Sequence, residues 1–306
     1  MITSRRIRPA RAAALAVMVA CSAFVTSATL TPGRALTAAT RSFLFKASKG
    51  QGAVYLVGSV HMLTADFYPL APALDAAFKD SDLLVEEVDL TEMLAPTMQF
   101  TLLTRGMLPE GQTIDKVVSP ATFALVNARS KSLDMPIEAV KQFKPWFLAM
   151  TLVAVEWQKA GFDSSLGLDK HFFDRAQSEN KAVQGLETTE YQISRFDGMT
   201  AQQQEHFLAE SLKDLDNERA SVNKLATAWK AGDVAGVERF VLQDVKDDPQ
   251  LYQRLLVERN RNWLPKIEAL FARPRRAFIV VGAAHLVGSD GLIAMLKAKG
   301  YQLTQL

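Results

Sequence analysis

Apolar positions follow two patterns along this chain. Near its ends they form short unbroken runs, and between them they recur every three or four residues. Segment 42–60 reads SFLFKASKGQGAVYLVGSV, two apolar runs around a Lys-Gly-Gln-Gly turn, and predicts a β-hairpin. DLLVEEV at 82–88 and AFIVV at 277–281 predict two more strands. Unbroken runs of this length suit strands covered on both faces of a mixed or parallel sheet. Helical spacing marks 70–80, 120–130, 144–160 and 168–179, with Pro120 and Pro145 near first turns. Segments 201–230, 233–246 and 249–271 are long, charged and amphipathic, and 290–298 followed by 301–305 reads as a last helix and strand. Lys181-Ala-Val-Gln reads as a short strand, and 62–70 and 90–115 read as loops. The predicted fold class is α/β, a mixed central sheet flanked by helices, with a large helical insertion over 95–270.

Residues 1–35 stand apart. A basic stretch at 4–11, SRRIRPAR, precedes a 14-residue apolar run at 12–25, and Gly33 and Ala35 suit the −3 and −1 positions of a cleavage site. This layout predicts a secretory signal peptide cut near Ala35, a periplasmic or secreted destination, and a single domain over 36–306. The apolar run is short of the roughly 20 residues of a spanning helix, so no stable membrane insertion is expected after cleavage. Lipid attachment at Cys21 is the alternative. Cys21 is the one cysteine of the chain. A chain cut near Ala35 therefore has no disulfide, thiolate metal site or cysteine nucleophile.

The net charge of +2 is set by that leader. Its five arginines come with no acid, and without them 30 basic residues face 33 acidic ones. A slightly acidic body without a basic stripe argues against nucleic acid as a partner.

The familiar catalytic motifs are absent: no HExxH, no G-x-S-x-G, no P-loop and no GxGxxG opening a helix. Two segments nevertheless resemble each other. Val54–Val57 leads into Gly58-Ser-Val-His61, and Phe278–Val281 into Gly282-Ala-Ala-His285. Each is an apolar run, then Gly-x-x-His, which places a histidine just past a strand's C-terminal end, where open α/β sheets bind ligands. The acidic end of the 82–88 strand adds Glu86, Glu87 and Asp89, with Glu87 and Asp89 expected on one face and Glu86 on the other. Imidazole with carboxylate suits a divalent metal with an open water position, and equally suits metal-free acid–base work. Glu187, in Gln184-Gly-Leu-Glu-Thr-Thr, is either a carboxylate that orients a histidine or a helix-opening acid. Arg259 is a candidate for stabilising negative charge, with Asn260 beside it. Asp169 reads as an acid in a first helical turn, His171 as a structural histidine and His206 as a surface one.

These motifs resemble the TraB/GumN family, related to the Tiki metalloproteases. The resemblance is carried by YLVGSVHMLTADFYPL, DLLVEEVDL, GLDKHFFDRAQSENKAVQGLET, VERNRNW and FIVVGAAHLVGSDGLIAMLKAKGY, and spans 41–306. It favours Glu87 over Glu86, because the family's strand ends in Glu-x-Asp. It implies an exported hydrolase of peptides or other amides. The implied metal ligands are His61, Glu87 and His285, holding Mn or Co, with Zn as a further option. Asp89, Glu187, Arg259 and Asn260 complete the implied catalytic set. More distant kinship with erythromycin-esterase-like and ChaN-like proteins keeps two alternatives open. One is a metal-free hydrolase with a histidine base. The other is a non-catalytic periplasmic protein that binds a metal, haem or a saccharide.

Overall fold

The computed structural model describes residues 41–306 except 214, 243–245 and 247, and the backbone alone of 215–222. The predicted leader, with its cleavage site and Cys21, lies outside the described residues.

Six strands form one mixed sheet: β1 (Leu44–Lys49), β2 (Gly52–Ser59), β3 (Ser81–Glu86), β4 (Ala182–Gly185), β5 (Arg276–Gly282) and β6 (Gln302–Gln305). Their order across the sheet is β4-β3-β5-β2-β1-β6. The predicted hairpin is β1 and β2, antiparallel, with Lys49 opposite Gly52 and Gly50 in the left-handed region at φ 59°. β2, β5, β3 and β4 run parallel. The inner strands β2 and β5 are buried along most of their length, which is why their sequences are unbroken apolar runs. The outer strands β4 and β6 are short and alternate between exposed and half-buried positions, as sheet edges do.

Helices cover both faces, so the α/β class and its mixed sheet hold. Pro120 and Pro145 occupy the first turns of Pro120–Ser132 and Pro145–Lys159. The amphipathic stretch 201–230 divides into Ala201–Lys213 and Leu215–Lys230. The segment 90–115, read as loop, contains the helix Pro96–Gly106. That helix keeps two buried anchors, Met98 and Leu102, while Phe100 and Leu103 remain exposed. So thin an apolar stripe gives little periodic signal. The insertion is not wholly helical either. β4 returns to the sheet beside β3, and Phe172 of the helix Leu168–Ser178 packs on Phe278 of β5.

The arrangement matters for its C-terminal edge. Four adjacent parallel strands end side by side, and each hands the chain a polar side chain: Glu187 after β4, Glu87 after β3, His285 after β5, and His61 after β2.

Candidate active site

The two Gly-x-x-His glycines are there for close approach. A Cβ on Gly58 would collide with the ring of Phe43. On Gly282 it would stand 3.1 Å from Glu87 Oε1, 3.4 Å from His61 Nε2 and 3.6 Å from His285 Cδ2. The missing side chain lets Glu87, His61 and His285 close in on the backbone at Gly282.

Next to Gly282 lies a buried polar network centred on Arg259, which is 0% exposed. Its Nη2 donates to Glu87 Oε2 at 2.6 Å and to Glu187 Oε1 at 2.7 Å, and its Nε donates to Glu187 Oε1 at 2.9 Å. Nη1 reaches His285 Nε2 at 3.0 Å and the Leu255 carbonyl at 3.2 Å. A guanidinium only donates, so His285 Nε2 is the acceptor. Its proton therefore sits on Nδ1, which donates to Asn260 Oδ1 at 2.7 Å. Asn260 is fixed in turn by its Nδ2, which donates to the Asp290 carbonyl at 2.8 Å. The Trp263 indole donates to Glu187 Oε2 at 2.8 Å and lies against the His285 ring, centroids 4.4 Å apart. Gln192 donates to both Glu87 and Glu187, and the Gly282 N–H donates to Glu87 Oε1 at 2.7 Å.

One helical run delivers Arg259, Asn260 and Trp263 together. A wide turn at Gln253–Val257, π-helical in its hydrogen bonding, leads into the helix Glu258–Leu270. Such turns occur often at functional sites. Here it is the Leu255 carbonyl of that turn that accepts from Arg259.

His61 forms the open half. Its side chain keeps 24% of its surface exposed, and its Nδ1 lies 2.7 Å from Asp169 Oδ2, which also accepts the Ser59 hydroxyl. With Nδ1 held by the carboxylate, Nε2 lies over Gly282, 3.4 Å from where a Cβ would stand.

The electrostatics separate the two histidines. Burial lowers the His61 pKa, but Asp169, and Glu87 behind it, outweigh burial and raise it to about 9. Burial and then Arg259 push His285 down to about 3, so it stays neutral. Burial raises the Glu87 carboxyl, yet Arg259 foremost pulls it well below the ordinary range. Burial lifts Glu187 despite Arg259. Burial works against the charge on Arg259, but Glu87 and Glu187 hold it on.

Several expected roles change. Asp89 leaves the cluster: β3 ends at Glu86, and Asp89 caps the helix Leu90–Met93, its Oδ1 accepting the Thr91 N–H at 2.8 Å. Arg259 is spent on two carboxylates and is sealed from solvent, so it holds the site together and does not face a substrate. Glu187 anchors Arg259 and orients no histidine, while Asn260 is the residue that orients one. The expected ligand set His61, Glu87 and His285 does not fit a metal as these residues stand, because the single Nε2 lone pair of His285 is taken by Arg259. Among the described residues no three histidine, cysteine, aspartate or glutamate side chains are arranged to hold an ion.

Other placements are simpler. Glu86 is buried and makes no hydrogen bond with Arg259, and burial, then Asp169 and Asp89, raise its pKa well above the ordinary range. Asp169 does open a helix, as its position predicts, but it is also the His61 partner. His171 packs against Tyr68 and Phe172, and His206 is exposed. Ser59, Gln192 and Trp263 were not readable as site residues. The two polar ones look like any helix or strand position, and tryptophan in a helix reads as core.

The TraB/PrgY/gumN family model matches residues 43–305. The chain belongs to the TraB/PrgY/gumN family. Among curated relatives it is 26% identical over 251 residues to proteins described as "Uncharacterized protein YbaP" from Escherichia coli K12 and from Shigella flexneri. Each alignment covers 79% of this chain and 87% of the relative. No solved structure matches the chain. The TraB/PrgY/gumN match runs through both Gly-x-x-His segments and the Glu-Arg-Asn helix, so the buried network and its open histidine lie wholly within the family domain.

Proposed function

We propose that the protein is a hydrolase of peptide or other amide bonds in which His61, paired with Asp169, acts as general base without a metal. The observation that carries this reading is the His61–Asp169 pair at 2.7 Å, with His61 Nε2 and Glu87 Oε1 side by side at Gly282. Asp169 fixes the imidazole with its proton on Nδ1 and raises its basicity. Glu87, ionised by its buried arginine, offers Oε1 as a second acceptor for the same water.

The chemistry then balances simply. His61 Nε2 removes a proton from water as the water oxygen bonds to the carbonyl carbon. The imidazolium formed is stabilised by Asp169. On collapse of the tetrahedral intermediate Nε2 returns that proton to the departing amine nitrogen. His285 stays neutral and takes no proton in this scheme. The leader sequence supports export to the periplasm or beyond as part of the same proposal.

The test is turnover of a pool of unstructured peptides read by mass spectrometry. Cleavage by the wild type, lost in His61→Ala and Asp169→Asn proteins that still unfold cooperatively, supports the reading. Cleavage that survives His61→Ala overturns it.

A further inference from the structure

We infer that Arg259 is the resident cation of this site, standing where a divalent metal would be held, and that its removal turns Glu87, Glu187 and His285 into a metal site. This deepens the hydrolytic reading above and rests on the same cluster.

Three observations carry it. First, the atoms around the guanidinium are metal donors: Glu87 Oε2 at 2.6 Å, Glu187 Oε1 at 2.7 Å and His285 Nε2 at 3.0 Å. Two carboxylates and an imidazole suit borderline divalent ions. Second, each donor already has the outer hydrogen bond that metal ligands usually carry. Asn260 Oδ1 accepts from His285 Nδ1, the Trp263 indole donates to Glu187 Oε2, and the Gly282 N–H donates to Glu87 Oε1. Third, the charges are unequal. One guanidinium faces two buried carboxylates, whereas a divalent ion would neutralise both. Arginine keeps the ion out by engaging the only lone pair His285 can offer.

The experiment is cobalt titration of the full chain, read by calorimetry and by the visible absorption of bound Co2+, in wild type, Arg259→Ala and Arg259→Lys. Lysine keeps one charge but cannot span all three donors, so it gives back the His285 lone pair. Arg259→Ala is expected to bind one Co2+ on the order of 100-fold more tightly than wild type. Arg259→Lys should fall between the two, and adding His285→Ala should erase the gain. If Arg259→Ala folds only with cobalt present, that rescue supports the inference, and the lysine variant supplies the affinity comparison. The inference is overturned if wild type binds cobalt as tightly as either variant, or if both variants fold and bind no more tightly. The hydrolytic reading fails separately. Peptide cleavage indifferent to His61→Ala would remove it while leaving the cobalt affinities to stand or fall alone.

Discussion

At the residue scale two histidines of one motif have opposite characters, and their neighbours decide which is which. His61 meets a carboxylate and keeps a free nitrogen, whereas His285 meets an arginine and loses its own. A base with a pKa of about 9 predicts peptide turnover that climbs with pH until about 9 and then levels. Asp169→Asn should move that limb to lower pH, because burial then acts on His61 without the aspartate to oppose it, visible as the His61 imidazole titration by NMR, and cut turnover by about 100- to 10,000-fold. A limb that stays near 9 in Asp169→Asn would remove Asp169 from its assigned role. Arg259→Ala leaves Glu87 and Glu187 buried without their counter-charge. It should destabilise the metal-free protein by ~3–5 kcal/mol in urea unfolding. A loss below about 1 kcal/mol, typical of an exposed pair, would mean that the network does not anchor the fold.

At the element scale the site is a product of parallel strand ends. β5 lies between β3 and β2, so Gly282 is the point that Glu87 and His61 reach from either side. Gly282→Ala should therefore fold yet lose part of its activity, because a methyl group there would crowd Glu87 Oε1 at 3.1 Å and touch His61 Nε2 at 3.4 Å. A 1 Å misplacement can cost about 100-fold in rate, so the smaller shift that this contact demands should cost roughly several-fold. Normal turnover in Gly282→Ala would show that the reaction does not depend on how Glu87 and His61 meet at Gly282. Much of this was legible beforehand. Unbroken apolar runs gave β1, β2, β3 and β5, and the repeated Gly-x-x-His with the acidic end of β3 pointed to His61, His285 and Glu87. Pairing was not legible. Nothing local tells that Asp169, 108 residues from His61, closes on its ring, or that Arg259 crosses 172 residues to Glu87. Asp89 misled for a related reason. Side-chain alternation holds only while the strand lasts, and β3 stops at Glu86, three residues before Asp89 caps a helix.

At the scale of the whole molecule the two histidines shape stability in opposite directions. His61 has a folded pKa of about 9, above its ordinary 6.5, so its contribution is full below 6.5 and lost as pH rises to about 9. His285 has a folded pKa of about 3, so the unfolded chain binds more protons between 6.5 and 3, and stability falls with acidification there. Glu87, held below its ordinary 4.5, steepens the acid limb. The melting temperature should peak near pH 6.5, and His61→Gln should flatten the alkaline limb alone. A wild-type melting curve that rises steadily from pH 6.5 to 9 would contradict the assigned charge states. Among the described residues no helix is long and apolar enough to cross a membrane. Export, if the leader acts as proposed, should leave a chain beginning just after Ala35 in N-terminal sequencing of the secreted protein.

In the proposed mechanism an aspartate-paired histidine does the chemistry while an arginine occupies the cation's place. Its most direct test is peptide cleavage by wild-type protein before and after exhaustive chelation, beside His61→Ala. Cleavage should be unchanged by chelation and abolished by His61→Ala. Cleavage that disappears on chelation and returns with Mn2+ or Co2+ would contradict it.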